Sequence, residues 1–320
     1  MRAKTNSFIA ALVIILCLAI VIALSVGSET LNLLELLKPH KQQQFEIVLK
    51  LRLPRVLNAI TVGALLSIAG LLIQNLVKNP LADPYILGVS GASAVAQLML
   101  IAFGISLPFW LFSTIGFIAA LFSLLLLLVI ATKKSVKTNN LLLTGVVLAF
   151  AYGALISLIL TISPMASTKP MLYWLMGDLS HTSFPYFSLL VLAIGLLWAF
   201  RYHKELDILA RGEFFAQKCG VDTKILNLKL LFLTSIFTAI AVSLAGTIGF
   251  IGLVVPHLAR LVVGNNHKLL IILSALIGAI LLLVADTLAR TIVAPIQLPV
   301  GIFTALFGIP VFIFLLRKGT

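Results

Sequence analysis

Long apolar segments dominate this chain and restrict it to one class of structure. A bilayer has a hydrocarbon core of about 30 Å, which a helix rising 1.5 Å per residue crosses in about 20 apolar residues. Backbone groups inside lipid must be hydrogen-bonded within the protein, so such segments form helices. Apolar runs occur near residues 8–27, 54–77, 84–104, 109–131, 141–163, 185–200, 230–248, 250–264, 269–293 and 300–316.

The composition excludes a soluble protein, because 61% of the 320 residues are hydrophobic and only 10% are charged. The first run follows Arg2 and Lys4 and is longer than the apolar core of a signal peptide, so we predict a retained helix. We predict an all-α polytopic membrane protein in which residues 1–320 form a single transmembrane domain.

Charge distribution decides the number of crossings. The run at 250–264 is short for a span, but ten crossings return Arg317 and Lys318 to the side of Arg2 and Lys4, whereas nine do not. We therefore predict ten transmembrane helices with both termini in the cytoplasm. Of the 23 Lys and Arg, 16 then lie inside, as the positive-inside rule favours. Seven lie outside: Lys38, Lys41, Lys50, Arg52, Arg55, Lys169 and Arg290.

The longest polar stretch, about residues 201–229, forms a predicted cytoplasmic loop. Gly212 divides it into two short helices. Glu213 suits the first turn of the second helix, and Gly220 suits a left-handed stop at its end. Two interpretations stay open, since this helix either rests in lipid headgroups or binds a cytoplasmic protein. Its aromatic and small residues are Phe214, Phe215 and Ala216.

Three arginines lie at predicted outer helix ends. Arg52 and Arg55 precede the second run, and Arg290 follows Asp286 by four residues, so that these last two can pair on one helix face. Snorkelling and charge neutralisation explain such residues in many membrane proteins. Alternatively, the arginines form a surface for carboxylates of an external partner, which the planar guanidinium group binds well.

Glycine and proline interrupt the apolar pattern in two regions. Pro80 and Pro84 prevent a continuous helix after the second run, so the chain must turn within residues 75–92. The second region surrounds the eighth run and contains Gly246, Gly249, Gly252 and Pro256. Interruptions of this kind mark either a translocation pathway or close helix packing.

Several kinds of chemistry lack their sequence signatures. There is no phosphate-binding loop and no Gly-Lys dipeptide, so we predict no ATP site of the Walker type. The five histidines have no metal-ligand spacing, and Cys17 and Cys219 lie in different parts of the predicted fold. We predict a protein that is not an enzyme and has no metal, cofactor, disulfide or nucleic-acid partner.

Six segments of the chain carry a family resemblance: RLPRVLNAITVGALLSIAGLLIQNLVKNPLADPYILGVSGA (52–92), YWLMGDLS (173–180), GEFFAQKCGV (212–221), GFIGLVVPHLARLV (249–262), ADTLAR (285–290) and LPVGIFTALFGIPVFIFLL (298–316). Through them the chain resembles the FecCD-type membrane permeases of ABC importers for iron chelates, haem and cobalamin. The resemblance implies a type II importer fold, a second permease subunit, two cytoplasmic ATPases, and a periplasmic or lipid-anchored binding protein. It also implies the inner membrane of a bacterium.

The resemblance also assigns roles to residues of this sequence. It implies that the binding protein docks on Arg52, Arg55 and Arg290. It implies that the ATPase receives a coupling helix containing Glu213, Phe214, Phe215, Ala216 and Gly220. It implies that the cytoplasmic gate contains Asn79, Leu81, Thr138 and Asn139.

Two other classes compete with this interpretation. A stand-alone secondary transporter with inverted repeats is the main alternative, but Asp286 is the only acidic residue within the predicted spans, whereas coupled carriers normally place several polar groups there. An intramembrane enzyme would need a nucleophile and base or a metal site, and the sequence contains neither pattern. The choice among iron chelate, haem and cobalamin stays open.

Overall fold

The computed structural model describes residues 2–27, 42–132, 138–180 and 183–317, and this part of the chain is almost entirely helical. A π-helical turn at Val48–Arg52 precedes α3, and a 3₁₀ turn at Pro84–Leu87 precedes α4. The helices are α1 (Arg2–Ser25), α2 (Gln42–Ile47), α3 (Leu53–Val77), α4 (Val89–Ala102), α5 (Phe109–Thr132), α6 (Thr138–Ile162), α7 (Met165–Leu175), α8 (Tyr186–Arg201), α9 (His203–Leu209), α10 (Glu213–Lys218), α11 (Thr223–Ala245), α12 (Ile251–Val263), α13 (His267–Thr291) and α14 (Val300–Arg317).

Each of the ten apolar runs coincides with a helix. Six helices of the described chain are long and apolar enough to cross a membrane, and α8 with α9 forms a seventh candidate that bends by 60°. Three shorter apolar helices, α4, α12 and α14, correspond to the remaining runs. The predicted all-α membrane class is confirmed, and ten crossings stay a prediction.

Helix α3 forms the centre of the fold and is buried along nearly its whole length. It packs against α11, α12 and α13. Two crossings bring backbones into contact, because a side chain at Gly63 would overlap the carbonyl of Gly278 and one at Gly70 would overlap the carbonyl of Gly252. Small residues allow this approach between membrane helices, where packing drives association. Gly252, one of the interrupting glycines of the eighth run, is thus a close-packing position, whereas the sequence did not single out its partner Gly70.

A polar side chain repairs the backbone of α12 where proline interrupts it. Pro256 has no N–H to give to the carbonyl four residues earlier, which belongs to Gly252. The buried amide of Gln74 donates to this carbonyl and to that of Leu253, both at 3.2 Å. Arg260 donates in turn to the Gln74 carbonyl oxygen. This link fixes the inner half of α12 against α3.

The chain breaks between α11 and α12 and is held there by two neighbouring segments. Gly246 and Phe250 have positive φ, at 67° and 70°. The amide of Asp178 donates to the carbonyl of Ala245 at 2.9 Å. The hydroxyl of Tyr85 donates to the Ile248 carbonyl at 2.9 Å and accepts from the Ile248 amide at 3.0 Å. Backbone groups at this break therefore find partners without a continuous helix.

Helices α1 and α6 contribute little to the core. Only small fractions of their apolar windows are buried, and α6 exposes Leu143, Val147, Phe150 and Ile162. In a membrane protein such faces contact lipid or another subunit.

The contact between Gly70 and Gly252 gives the first prediction. Gly70→Ala should lower the stability of the protein by about 1–3 kcal/mol, the usual cost of overpacking, because its new methyl group meets backbone that cannot rotate away. The measurement is thermal unfolding in detergent micelles.

Gly153→Ala is the matched control. Gly153 lies within α6, and a methyl group there would have no neighbour within 4 Å. This variant should unfold at or slightly above the wild-type temperature, since alanine favours helix over glycine. Equal destabilisation by both variants would contradict the proposed crossing.

Candidate functional site

An ion cluster joins α3 and α13 at the predicted outer side. The Arg55 guanidinium contacts both carboxylate oxygens of Asp286, with Nε at 2.9 and 3.2 Å and Nη2 at 2.8 Å from Oδ1. Arg290 Nε lies 3.2 Å from the other oxygen of Asp286. Arg55 also donates to Gln297 Oε1 at 2.7 Å. The predicted pairing of Arg290 with Asp286 is confirmed, whereas no local pattern indicated that Arg55 shares the same carboxylate.

Arginines also hold the last turn of α1. Arg52 donates through Nη1 to the carbonyls of Leu24 and Ser25 at 2.8 and 2.9 Å, and Arg290 donates to the carbonyl of Ala23 at 3.1 Å. The last carbonyls of a helix have no helical donor and carry partial negative charge, so cations stabilise them. We call Arg52, Arg55, Asp286 and Arg290 the outer arginine cluster.

The cluster places the three predicted docking residues together but inside the protein. Arg52, Arg55 and Arg290 are 8, 7 and 5% exposed, and Asp286 is fully buried. Among the described residues, Arg55 and Arg290 share the carboxylate of Asp286, and Arg52 and Arg290 contact carbonyls at the end of α1. Buried guanidinium groups need such anions and dipoles, because burial of a charge is otherwise costly.

The other predicted outer cations have separate surroundings. Lys50 is exposed and pairs with Glu46 at 2.9 Å, one turn earlier. Lys169 lies over the Tyr173 ring with its Nζ 5.7 Å from the centroid. Lys38 and Lys41 lie outside the described residues.

A cavity of about 720 Å³ opens beside the outer arginine cluster. Its wall is mainly apolar and aromatic, and Gln297, which contacts Arg55, forms part of it. Its polar and aromatic lining includes Lys169, Tyr173, Trp174, Asp178 and Gln297.

The inner turn, residues 78–88, follows the inner end of α3. Lys78 has left-handed geometry, with φ of 55°, and ends the helix. The Asn79 side chain accepts from the amide of Leu81 at 2.9 Å, and Leu81 is 43% exposed. Asp83 accepts from the amide of Tyr85 at 2.8 Å. The turn predicted from Pro80 and Pro84 is therefore confirmed, with Asn79 and Asp83 as its local caps.

The environment of Asp83 makes its carboxylate sensitive to pH. Burial raises the pKa of Asp83 to about 6, although the hydrogen bond from the Tyr85 amide acts in the opposite direction.

The second predicted gate segment lies at the start of α6, where Thr138 and Asn139 form the first helical residues. The positions of their side chains lie outside the described structure.

Helices α9 and α10 form the two short elements predicted in the 201–229 loop, and we call them the coupling element. Helix α10 begins at Glu213, as predicted, after Gly212 with φ of 120°. It ends in a Schellman motif, since the amide of Val221 donates to the Ala216 carbonyl and Gly220 has φ of 81°. The predicted stop at Gly220 is confirmed.

The coupling element has a buried side and an exposed aromatic side. Ala216 is fully buried, whereas Phe214 and Phe215 are 72 and 42% exposed. Basic side chains cover part of these rings: Lys218 Nζ lies 4.5 Å from the Phe214 centroid and the Arg211 guanidinium 5.8 Å from that of Phe215. The exposed side is thus both aromatic and cationic, a composition common at protein interfaces.

Polar contacts connect the coupling element to the inner turn. Glu213 accepts from the Asn227 side chain at 2.7 Å and lies 3.8 Å from the ammonium group of Lys78. Asn75, one turn before the end of α3, donates to the carbonyl of Leu206 in α9 at 3.2 Å. The contacts of Lys78 with Glu213 and of Asn75 with Leu206 join segments more than 100 residues apart, so helical periodicity gave no signal of them.

Helix α9 is also attached to the start of α13. Asp207 Oδ1 accepts from the backbone amide and the ring Nδ1 of His267, both at 2.8 Å. Burial raises the pKa of Asp207, but the contacts with His267 outweigh it, so the pKa lies below its ordinary value.

Among the described residues, no group of three His, Cys, Asp or Glu side chains is arranged to hold a metal ion.

Comparisons with known proteins identify relatives of this chain. A model of the FecCD transport family matches residues 14–318. The vitamin B12 import system permease BtuC of Vibrio cholerae is 38% identical over 85% of this chain and 83% of its own length. The Fe(3+) dicitrate transport system permease FecD of Escherichia coli is 37% identical over 86% of each chain.

A solved structure supports the fold independently. It shows an inward-facing conformation of a metal-chelate type ABC transporter and superimposes with a TM-score of 0.88 and 30% identity. The alignment covers 98% of this chain and 99% of the other.

The outer arginine cluster gives the second prediction. Asp286→Asn removes the only carboxylate that Arg55 and Arg290 share among the described residues, and breaking a buried ion pair costs about 3–5 kcal/mol. We expect a marked fall in the thermal unfolding temperature in detergent. Glu46→Gln breaks the exposed pair with Lys50 and should cost less than about 0.5 kcal/mol. Equal stability of the two variants would show that the cluster is not a structural link.

Proposed function

The chain belongs to the FecCD transport family, and on that premise we propose that it is the permease subunit of a binding-protein-dependent ABC importer. The imported substrate is an iron chelate, haem or cobalamin. The permease spans the bacterial inner membrane with both termini in the cytoplasm. The similar proteins include a vitamin B12 import permease and an Fe(3+) dicitrate transport permease, and they support this substrate range.

The exposed aromatic side of α10 is the observation that carries the proposal. A short helix that is firmly capped at its end, buried through Ala216 and exposed through Phe214 and Phe215 is built to present a fixed surface. A pair of cytoplasmic ATPases docks there, one on each permease subunit. ATP binding and hydrolysis occur in those partners, and this chain performs no covalent chemistry.

The contacts of Glu213 support a route from the ATPase to the gate. Movement of α10 displaces Glu213, which contacts Lys78 at the joint between α3 and the inner turn. The gate consists of that turn, through Asn79 and Leu81, and of the start of α6, through Thr138 and Asn139. Alternating access then follows from displacement of these segments.

The outer arginine cluster is the proposed landing site for the binding protein. Three guanidinium groups lie together there, which supports an acidic partner, since arginine binds carboxylates well and complementary charge steers association. Because Arg52, Arg55 and Arg290 are nearly buried, docking acts through the rim of the cluster or after local opening.

A second copy of the chain is the proposed partner subunit, with the substrate pathway between the two copies. The exposed apolar side chains on α6 and α14 support this pairing, because lipid and a subunit interface are the two environments for such faces. A stand-alone secondary transporter is disfavoured, since Asp286 is engaged by two arginines and so is not free for ion coupling.

The third prediction tests the ATPase contact. Phe214→Ala should weaken association with the partner ATPase at least tenfold, in the range found when a buried aromatic anchor is removed from an interface. The measurement is co-purification and titration of the detergent-solubilised permease with the ATPase. Phe214 is preferable to Ala216 as the target, because a large residue at the buried Ala216 would disturb packing.

Phe122→Ala is the control, since Phe122 is 66% exposed on α5, a membrane-facing helix. This variant should associate with the ATPase as the wild type does. Unchanged association of Phe214→Ala would contradict the assignment of α10 and favour its location among lipid headgroups.

A further inference from the structure

A basic and aromatic cluster lies at the inner end of α8, at its junction with α9. The rings of Trp198 and Tyr202 pack with centroids 4.6 Å apart. Lys229, on α11, donates to the Tyr202 hydroxyl at 3.0 Å and lies 4.8 Å from the centre of the same ring. The Arg201 guanidinium lies 5.8 Å from that centre. We call Trp198, Arg201, Tyr202 and Lys229 the Tyr202 cluster.

The Tyr202 cluster carries positive charge without a protein counter-ion. Two cations share one neutral ring, and within the described part of the chain no carboxylate lies within 4 Å of either. Cation–π contacts position these groups but do not neutralise them. A third cation, Lys268, lies over Phe200 on the same end of α8, with its ammonium 5.7 Å from the ring centre. The charge at this helix end therefore favours an anion.

The surroundings of the cluster match a lipid rather than a soluble anion. Helix α8 ends at Arg201 and the chain bends by 60° into α9, which is where the apolar span stops. Trp and Tyr are enriched at this depth in membranes. One turn back along α8 and one turn onward along α11 lie Leu197 and Phe232, which are 73 and 55% exposed. Apolar surface thus adjoins the cationic groups on both helices.

We propose that the Tyr202 cluster binds the phosphate headgroup of an anionic phospholipid, whose acyl chains lie along Leu197 and Phe232. Arg201 can contact two phosphate oxygens through its planar fork, and Lys229 adds a compact charge. The Tyr202 hydroxyl accepts its hydrogen bond from Lys229, so its own hydrogen is free to point to a phosphate oxygen. The leaflet is the cytoplasmic one if the proposed orientation is correct.

The experiment compares two pairs of substitutions with the same charge change. One double variant, Arg201→Gln with Lys229→Gln, removes both cations of the cluster. Lys204→Gln with Lys224→Gln removes two nearby exposed cations for which the structure shows no aromatic contact. Each purified permease is placed in phosphatidylcholine bilayers, and spin-label spectra give the association of labelled phosphatidylglycerol relative to labelled phosphatidylcholine. All variants are first checked for monodisperse elution and wild-type thermal unfolding.

The wild type should prefer phosphatidylglycerol, and the Arg201 and Lys229 pair should lose about fivefold or more of that preference. The Lys204 and Lys224 pair should retain most of it. Tyr202→Phe, which leaves the charge unchanged, should reduce the preference by about twofold, as expected for loss of one hydrogen bond. Millimolar glycerol phosphate should not compete.

Three results would overturn the proposal. Equal losses in the two paired variants would show only general attraction between cations and an anionic bilayer. If the wild type showed no preference for phosphatidylglycerol, there would be no anionic-lipid site. Competition by glycerol phosphate would show that the ligand is a soluble phosphate. None of these results depends on ATPase association or transport, so failure here is distinguishable from failure of the proposed function.

Discussion

Burial of one helix on all sides is the constraint on which the structure depends. Helix α3 can sit among α11, α12 and α13 because Gly63 and Gly70 bring its backbone against the backbones of α13 and α12. Membrane helices gain little from excluding water and associate mainly through packing and polar contacts. The two glycine crossings therefore set how closely α12 and α13 approach α3.

Polar links then fix both ends of that central helix. At the outer end, Arg55 reaches Asp286 of α13, and Arg52 holds the last turn of α1. At the inner end, Gln74 repairs the proline break in α12 and Asn75 holds α9. The same helix thus connects the side predicted to meet a binding protein with the side predicted to meet an ATPase. A rigid element of this kind is suited to transmit displacement.

Local signals in the sequence were sufficient for much of this arrangement. Run lengths predicted the ten apolar helices, but not α2 or α7. The glycines and acidic residue of the 201–229 loop predicted α10 with its start at Glu213 and its stop at Gly220. Pro80 and Pro84 predicted the inner turn. These features depend on a few neighbouring residues, which is why periodicity and capping rules reached them.

Tertiary contacts were beyond those rules. The pairing of Arg290 with Asp286 follows from a spacing of four on one helix, whereas Arg55 reaches the same carboxylate from 231 residues away. From the sequence, Arg52, Arg55 and Arg290 were expected at the surface, because the end of an isolated helix is exposed. Likewise, the first turns of α11 are polar and were predicted to belong to the cytoplasmic loop. In the structure, Asp222 caps the helix and Asn227 donates to Glu213.

Substrate uptake into proteoliposomes tests the central claim most directly. The vesicles contain the permease with its ATPase, and the binding protein loaded with radiolabelled iron chelate, haem or cobalamin is added outside. We expect ATP-dependent accumulation of one of these substrates, lost when either the ATPase or the binding protein is omitted. Accumulation by the permease alone, driven by a proton or sodium gradient, would contradict the account and identify a secondary transporter.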